Sequence, residues 1–218
     1  MEIDPKVKAV CFDIDGTLVD DRYPSAQIHE RFLGGNYILH LLGDMIQTSG
    51  HQDAHNALLA YTEVNVYWDY SDIIDHFNLD SFLVTEWIRL WHKNHLVALW
   101  RNVQLIHKLR NKGYKIYIIS NNPHTGCLFK LEHTGLVDLD GNGVIDEIFG
   151  SNRGLGQKWD IGFWKRVIEQ SPYPAEAMAM IGDNPVEDAE VPLAAGFCQS
   201  FLVDSEGKLQ EAPQINVV

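Results

Sequence analysis

The stretch that decides the fold is residues 10–18, which read Val-Cys-Phe-Asp-Ile-Asp-Gly-Thr-Leu. Two carboxylates, Asp13 and Asp15, stand at the end of an apolar run, Val7 to Phe12, that is typical of a buried strand. If the chain turns at Gly16, Asp13 lies at the carboxyl end of this strand, where open α/β sheets bind their ligands. Side chains at positions i and i+2 of an extended segment point the same way, so both carboxylates can face one site.

Paired carboxylates at such a site serve metal binding, acid–base chemistry or nucleophilic attack, and phosphoryl transfer can use all three. A second Asp-x-Asp, in residues 138–143, has no comparable strand before it and no threonine after its glycine. Asp138 to Asp146 match the front of a calcium-binding EF-hand loop, but position twelve is Phe149 where calcium sites need a bidentate glutamate. The pattern favours a polar turn and leaves calcium binding as the second interpretation.

The charge and cysteine content narrow the class of protein. The chain has 218 residues and a formal net charge of −13, which argues against nucleic-acid or anionic-membrane partners. Three widely spaced cysteines favour reduced thiols in a cytoplasmic protein. The amino terminus lacks the pattern of a signal peptide, and no apolar run approaches the ~20 residues of a membrane helix. We expect a cytoplasmic monomer or homodimer that acts on a small molecule.

Strand-like and helix-like segments alternate at the start of the chain and through its second half. Strands are predicted at Val7–Phe12, Tyr114–Ile119, Ile145–Phe149, Ala177–Ile181 and Phe197–Val203. Helices are predicted at Arg101–Lys112, His124–His133, Lys158–Gln170 and Pro185–Ala195, the last bent by Pro192. Such alternation predicts an α/β fold, a Rossmann-like parallel sheet sandwiched by helices.

Residues 22–100 differ, because no strand-like run is found there and apolar residues recur at helical spacing. We predict a catalytic core formed by residues 1–21 and 101–218, with 22–100 inserted as an all-helical cap that selects the substrate. Leu83, Trp87, Leu90 and Trp91 are predicted to form the buried face of a helix that begins near Asp80.

The insertion also holds most of the histidines. His51 and His55, and likewise His92 and His95, have the spacing of metal ligands on a helix. Neither pair has an acidic partner in a recognised motif, so solvated histidines are the favoured interpretation and a second metal the alternative.

Three further signals lie at strand ends or helix starts. Ser120 and Asn121 follow a predicted strand and can form a phosphate or oxyanion cradle, although alone they indicate an ordinary helix cap. Lys158 follows a glycine-containing loop and could bring a point charge to a phosphoryl group, although alone it indicates a solvated surface lysine. Asp183 ends another strand and Asp188 follows in the next helix, and such carboxylates suit Mg²⁺.

In this order the four motifs resemble the haloacid dehalogenase superfamily of phosphohydrolases, in its branch with a helical C1 cap. The resemblance implies that Asp13 is the nucleophile and becomes an aspartyl phosphate, while Asp15 acts as the general acid and base. It implies that Ser120 and Lys158 hold phosphoryl oxygens, with Asn121 beside them in the substrate site. Family members commonly have proline after the motif lysine, whereas this chain has Trp159.

The resemblance also implies a Mg²⁺ cofactor bound by Asp13, the Asp15 carbonyl and Asp183, with Asp188 supporting the metal shell or Lys158. The expected function is a Mg²⁺-dependent phosphatase acting on a small phosphate ester. A phosphomutase of the same superfamily and a non-catalytic phosphate-binding or regulatory protein are the alternatives. Dehalogenases of the family lack the second aspartate, so Asp15 argues against that activity.

Overall fold

A computed structural model of the chain describes residues 2–21, 37–65, 67–152, 155–204 and 207–212. The chain divides into two compact units, one formed by Met1–Asp20 with Ala98–Val218 and the other by Asp21–Val97. These borders lie within a few residues of the predicted ones, and Arg22, where the cap was predicted to begin, lies outside the described residues.

The first unit is built on a six-stranded sheet. Its strands are β1 (Ala9–Phe12), β4 (Lys115–Ile119), β5 (Glu147–Phe149), β6 (Met178–Gly182), β7 (Gln199–Val203) and β8 (Leu209–Glu211). They are ordered β5-β4-β1-β6-β7-β8; all neighbours pair in parallel except β8, which is antiparallel to β7. A separate two-stranded sheet joins β2 (Val19–Asp21) to β3 (Leu96–Ala98). The predicted α/β fold is confirmed.

Helices account for most of the remaining regular structure. In the second unit they are α1 (Tyr37–Thr48), α2 (Ala54–Val64), α3 (Tyr70–His76) and α4 (Ser81–His95). In the first unit they are α5 (Trp100–Asn111), α6 (His124–His133), α7 (Ile161–Gln170) and α8 (Val191–Ala194). Over the described residues, every helix is too short or too polar to cross a membrane.

The central strand β1 is fully buried, which agrees with the unbroken apolar run in its sequence. Its last residue, Phe12, pairs with Ile118 of β4 on one side and with Ile181 of β6 on the other. All three strands therefore end at one edge of the sheet, and the polar residues that follow them emerge there together.

Two predicted helices differ from the structure. The helix predicted from Lys158 begins at Ile161, because the Asp160 side chain caps it by accepting a hydrogen bond from Gly162 N at 2.9 Å. The helix predicted at Pro185–Ala195 is present but not uniform: Pro185–Glu190 form a π-helix, in which Val191 N bonds to Val186 O, five residues back, and α8 follows it directly. Pro192, which lies where the helix changes from π to α, has no N–H to donate to the preceding turn.

The second unit corrects two expectations. Helix α4 begins after Asp80 as predicted, and the Asp80 carboxylate accepts a hydrogen bond from Leu83 N at 3.0 Å. Its predicted buried face is wrong, because Leu83, Trp87 and Leu90 are exposed and the buried residues are Val84, Ile88 and His92. Apolar residues stand on both faces of this helix, so their period alone could not select one. The segment predicted to be all-helical also ends in a strand, β3.

Candidate active site

Asp13 lies directly beyond β1, at the carboxyl edge of the sheet. Its main-chain N donates to Ile181 O at 2.9 Å, so the neighbouring strand β6 fixes the start of the loop. The side chain is buried, and its Oδ1 accepts a hydrogen bond from Lys158 Nζ at 2.7 Å. The carboxylate is thus held by the sheet on one side and by an ammonium on the other.

Lys158 is only 2% exposed, although its position in a loop suggested a solvated residue. Its Nζ lies 2.5 Å from Asp188 Oδ1 as well as 2.7 Å from Asp13 Oδ1. Burial would lower the pKa of Lys158, but the carboxylates of Asp13 and Asp188 outweigh burial and raise that pKa. The side chain therefore remains a buried ammonium between two carboxylates.

The main chain of Lys158 is fixed on both sides of the residue. Its N donates to Asn121 Oδ1 at 2.9 Å, and its O accepts from Trp164 Nε1 of α7 at 2.7 Å. Asn121 Nδ2 also donates to Glu187 Oε2 at 2.8 Å. The Asn121 side chain, which was expected near the substrate, therefore joins the loops that carry Lys158 and Glu187, and its contact with substrate stays a prediction.

Three carboxylates meet at this edge of the sheet. Asp13, Asp183 and Asp188 each offer an oxygen within 4.8 Å of the others. Burial, together with the charges of Asp188 and Asp15, outweighs Lys158 and raises the pKa of Asp13 to about 8. Asp183 is exposed as a residue, but partial desolvation of its carboxylate and the charge of Asp188 raise its pKa to about 6. One ammonium is too little positive charge for this cluster, and a set of carboxylate oxygens is what Mg²⁺ prefers.

Gly16 makes room for the Asp183 carboxylate. Its φ is +70°, and a Cβ at this position would lie 2.2 Å from Asp183 Oδ2. Glycine is therefore required twice, for the left-handed backbone and for the close approach. The turn at Gly16 and the carboxylate of Asp183 therefore form one cradle. The carboxylate oxygens gathered there suit a divalent cation.

Asp15 lies in a different environment from Asp13. Its side chain is 52% exposed, and Lys130 Nζ contacts Oδ1 at 2.7 Å and Oδ2 at 2.9 Å. Asn122 Nδ2 donates to the same Oδ2 at 2.6 Å. Desolvation by the surrounding groups would raise the pKa of Asp15, but Lys130 and Asn122 outweigh it and hold the pKa below its usual value.

Ser120 connects this group of residues to the sheet. Its N donates to Phe149 O of β5 at 3.1 Å, and its buried Oγ accepts from Asn122 Nδ2 at 2.9 Å. Lys130 Nζ also donates to Asn122 Oδ1 at 3.1 Å. Ser120, Asn122, Lys130 and Asp15 therefore form one continuous hydrogen-bonded network beside the carboxylate cluster.

Lys130 and Asn122 are the two residues of this network that the sequence analysis missed. Lys130 is a buried charged side chain on α6, which also buries Cys127 and Leu131. A lysine on the apolar stripe of an amphipathic helix was the available signal, because such a charge requires a partner when it is buried. Asn122 belongs to the same Ser-Asn-Asn stretch as Ser120 and Asn121, but only its tertiary contacts distinguish a site residue there from a helix cap.

The second Asp-x-Asp motif is engaged elsewhere. Asp138 Oδ1 accepts from Asn142 N at 2.8 Å, which closes a local turn. The Asp146 carboxylate forms ion pairs with Arg110 and Lys115 and also accepts from Ile116 N at 2.9 Å. Asp146 is therefore neutralised by cations of the sheet and of α5, which agrees with the favoured interpretation of a turn.

Comparison with known proteins gives one family. The family model described as haloacid dehalogenase-like hydrolase matches residues 7–196. The search of curated proteins gave no match.

Solved structures share the fold at low sequence identity. A HAD phosphatase from Thermococcus onnurineus is 22% identical, with a TM-score of 0.53 over 88% of this chain and 84% of its own. The L-2-haloacid dehalogenase RSc1362 is 19% identical and has a TM-score of 0.56, and the match covers 97% of this chain and 90% of that chain. The putative HAD-hydrolase YfnB from Bacillus subtilis, solved with magnesium, is 18% identical, with a TM-score of 0.51 over 88% and 86%. Both phosphatases and dehalogenases therefore share this fold.

We predict that Gly16→Ala weakens divalent-metal binding by at least roughly tenfold, because the new methyl group displaces the Asp183 carboxylate. Mn²⁺ titration by calorimetry measures the change. Gly113→Ala is the matched control, since Gly113 also has a positive φ, +91°, but a Cβ there meets nothing within 4 Å. Equal metal affinity in the two variants would contradict the cradle formed by Gly16.

Proposed function

Because the chain belongs to the haloacid dehalogenase-like hydrolase family, we propose that this hydrolase is a Mg²⁺-dependent phosphatase of small phosphorylated metabolites. The observation that carries the proposal is the difference between the environments of two neighbouring aspartates. Asp13 is buried against Lys158, whereas Asp15 is half-exposed and has a cation of its own, Lys130. A nucleophile and a proton carrier require such separate environments.

Asp13 attacks phosphorus in the first step. Lys158 Nζ binds its Oδ1, so Oδ2 is the oxygen that forms the new bond. The bond from phosphorus to the ester oxygen breaks, and Asp15 gives that oxygen a proton as it leaves. Lys130 and Asn122 hold the free Asp15 as a carboxylate, so the proton comes from the monoanionic form of the phosphate monoester, whose second pKa is about 6. This proton passes from the bound phosphate to Asp15 and then to the leaving oxygen. The product is an aspartyl phosphate on Asp13.

Water completes the reaction in the second step. Asp15 takes a proton from the water as its oxygen attacks phosphorus, and the bond to Asp13 breaks to release phosphate. The lowered pKa of Asp15 suits this role, since the group must be a carboxylate to accept the proton. Ser120 and Lys158 hold the phosphoryl oxygens in both steps.

The carboxylate cluster accounts for the proposed cofactor. Asp13, Asp183 and the carbonyl of Asp15 would hold Mg²⁺, while Asp188 is engaged with Lys158. When bound, the ion supplies positive charge that offsets the negative charge on the phosphoryl oxygens. The raised pKa values of Asp13 and Asp183 support this assignment, because they indicate a cluster short of positive charge.

The test compares two activities of the family on one purified enzyme. We expect release of phosphate from para-nitrophenyl phosphate with Mg²⁺, and no release of chloride from 2-chloropropionate. Chloride release without phosphate release would overturn the phosphatase proposal in favour of a dehalogenase. Neither product over a broad panel of phosphate esters and haloacids would favour a non-catalytic protein.

We predict that Asp13→Asn lowers the rate of phosphate release by roughly a thousandfold or more, because an amide cannot replace the attacking carboxylate. Lys158 keeps its contact with Asp188, so the melting temperature should change little. Asp138→Asn, in the second Asp-x-Asp motif, is the matched control and should retain full activity. Mass spectrometry should detect the phosphoryl group on Asp13 alone; activity near the unaltered level in Asp13→Asn would refute the assignment.

We predict that chelation by EDTA abolishes phosphate release and that Mg²⁺ restores it. Ca²⁺ should inhibit, because its larger shell of six to eight ligands would let Asp13 bind through both oxygens and lose the free Oδ2. The measurement is the initial rate at fixed substrate after dialysis and addition of each cation. Full activity after exhaustive chelation would rule out the proposed cofactor.

We predict that Lys130→Met lowers kcat by roughly 10- to 100-fold with a smaller change in KM, because Asp15 loses the group that orients it. Methionine fills a similar volume, and Lys130→Arg should restore part of the rate. The loss should disappear when both variants are compared in an Asp15→Asn background. Equal losses with and without Asp15 would mean that Lys130 acts only on the fold.

A further inference from the structure

A second group of metal-ligating side chains lies within the second unit and shares no residue with the carboxylate cluster of the first unit. His40 and Asp44 stand one turn apart on α1, and His55 stands on α2. The spacing of His51 and His55 suggested that these two share a helix, but α2 begins at Ala54, after His51. Three-dimensional packing therefore pairs His55 with α1.

The distances in this group suit a metal ion better than hydrogen bonds. Asp44 Oδ2 lies 3.8 Å from His40 Nε2, and Asp44 Oδ1 lies 3.5 Å from His55 Nε2. Good hydrogen bonds to nitrogen are about 2.7–3.2 Å long. Two ligand atoms on a tetrahedral Zn²⁺, with bonds of about 2.0–2.1 Å, are about 3.3 Å apart. One ligand atom from each of the three residues lies within 4.8 Å of the others.

His55 Nε2 gives the second observation. This nitrogen is buried, and it makes no hydrogen bond to any part of the chain that the structure describes. A buried polar atom without a partner is costly and needs an explanation. This nitrogen lies 3.5 Å from Asp44 Oδ1, and the ring centroids of His55 and His40 are 5.2 Å apart. A bound cation would give the nitrogen a partner.

Gly43 shows how α1 accommodates the histidine of the other helix. A Cβ at this position would lie 2.7 Å from the His55 ring. Glycine inside a helix is less favourable than alanine by about 1 kcal/mol. The chain thus has a poor helix former at a position of α1 where a side chain would collide with the His55 ring.

We propose that His40, Asp44 and His55 bind a transition-metal ion of the zinc class between α1 and α2. Two imidazoles and one carboxylate suit Zn²⁺ or Co²⁺, whereas the all-carboxylate cluster at Asp13 suits Mg²⁺. All three side chains are partly exposed, which leaves room for a water ligand and for entry of the ion. The ion would join the two helices and stabilise the second unit.

The experiment is a Zn²⁺ titration of the full chain in excess Mg²⁺, which occupies the carboxylate cluster. We expect Zn²⁺ at 100 times its Kd to raise the melting temperature by roughly 5 °C or more. His55→Ala and His40→Gln should weaken the affinity by at least roughly tenfold, as should Gly43→Ala, which displaces His55 without removing a ligand. His107→Ala, an exposed histidine on α5, is the matched control and should leave the affinity unchanged.

Co²⁺ provides a readout that is independent of stability and of activity. The absorption bands of nitrogen-ligated cobalt should appear in the unaltered chain and in Asp13→Asn, and be absent in His55→Ala. No zinc-induced shift, or the same shift and the same cobalt bands in His55→Ala, would overturn the proposal. Because Asp13→Asn lacks the nucleophile and keeps the three ligands, failure of the metal site and failure of the phosphatase proposal give different results.

Discussion

The structure of the first unit depends on one buried ammonium, that of Lys158. It lies between the carboxylates of Asp13 and Asp188 at 2.7 and 2.5 Å, and each of the three residues comes from a different segment of the chain. Removing Lys158 itself would leave two carboxylates without this cation, and the loss of a partner from a buried ion pair typically costs about 3–5 kcal/mol. The local structure around Lys158 serves to hold it there: Asn121 fixes its N, Trp164 fixes its O, and Asp160 delays the start of α7.

Asp13 and Asp15 stand two residues apart, and each forms an ion pair with a different lysine. Lys158 faces a crowded cluster, so the pKa of Asp13 remains raised to about 8. Lys130 faces Asp15 with little competition, so the pKa of Asp15 is lowered. The pKa values of these two neighbouring carboxylates therefore shift in opposite directions, because each carboxylate lies beside a different lysine and in a different environment. Further positive charge beside Asp13 would make it a carboxylate at neutral pH, which links the proposed cofactor to the proposed nucleophile.

The sequence predicted the parts of the fold and of the candidate site that are local. The apolar run before Asp13 predicted the buried strand that the structure shows as β1. Ser120 and Asp183 were predicted at strand ends because each follows its own apolar run, and they follow the two strands that flank β1. Lys130 was missed because the residue type alone does not show whether a lysine in a helix is buried or exposed to solvent. The buried face of α4 was misassigned because both of its faces carry apolar residues. His55 was paired with His51 because sequence spacing describes neighbours along one helix, whereas its neighbours lie on another.

The position of β1 in the sheet has a consequence for the order of folding. This first strand pairs with β4 and β6, which come from residues 115–119 and 178–182, and its Asp13 meets a lysine 145 positions later. Contacts of such long range form slowly, because the chain must close large loops before they are made. During synthesis from the amino terminus, the central strand must therefore wait for both of its neighbours, with its apolar residues and Asp13 still unpaired. The nascent chain is most exposed to aggregation in this interval, and its candidate active site is among the last parts of the molecule to form.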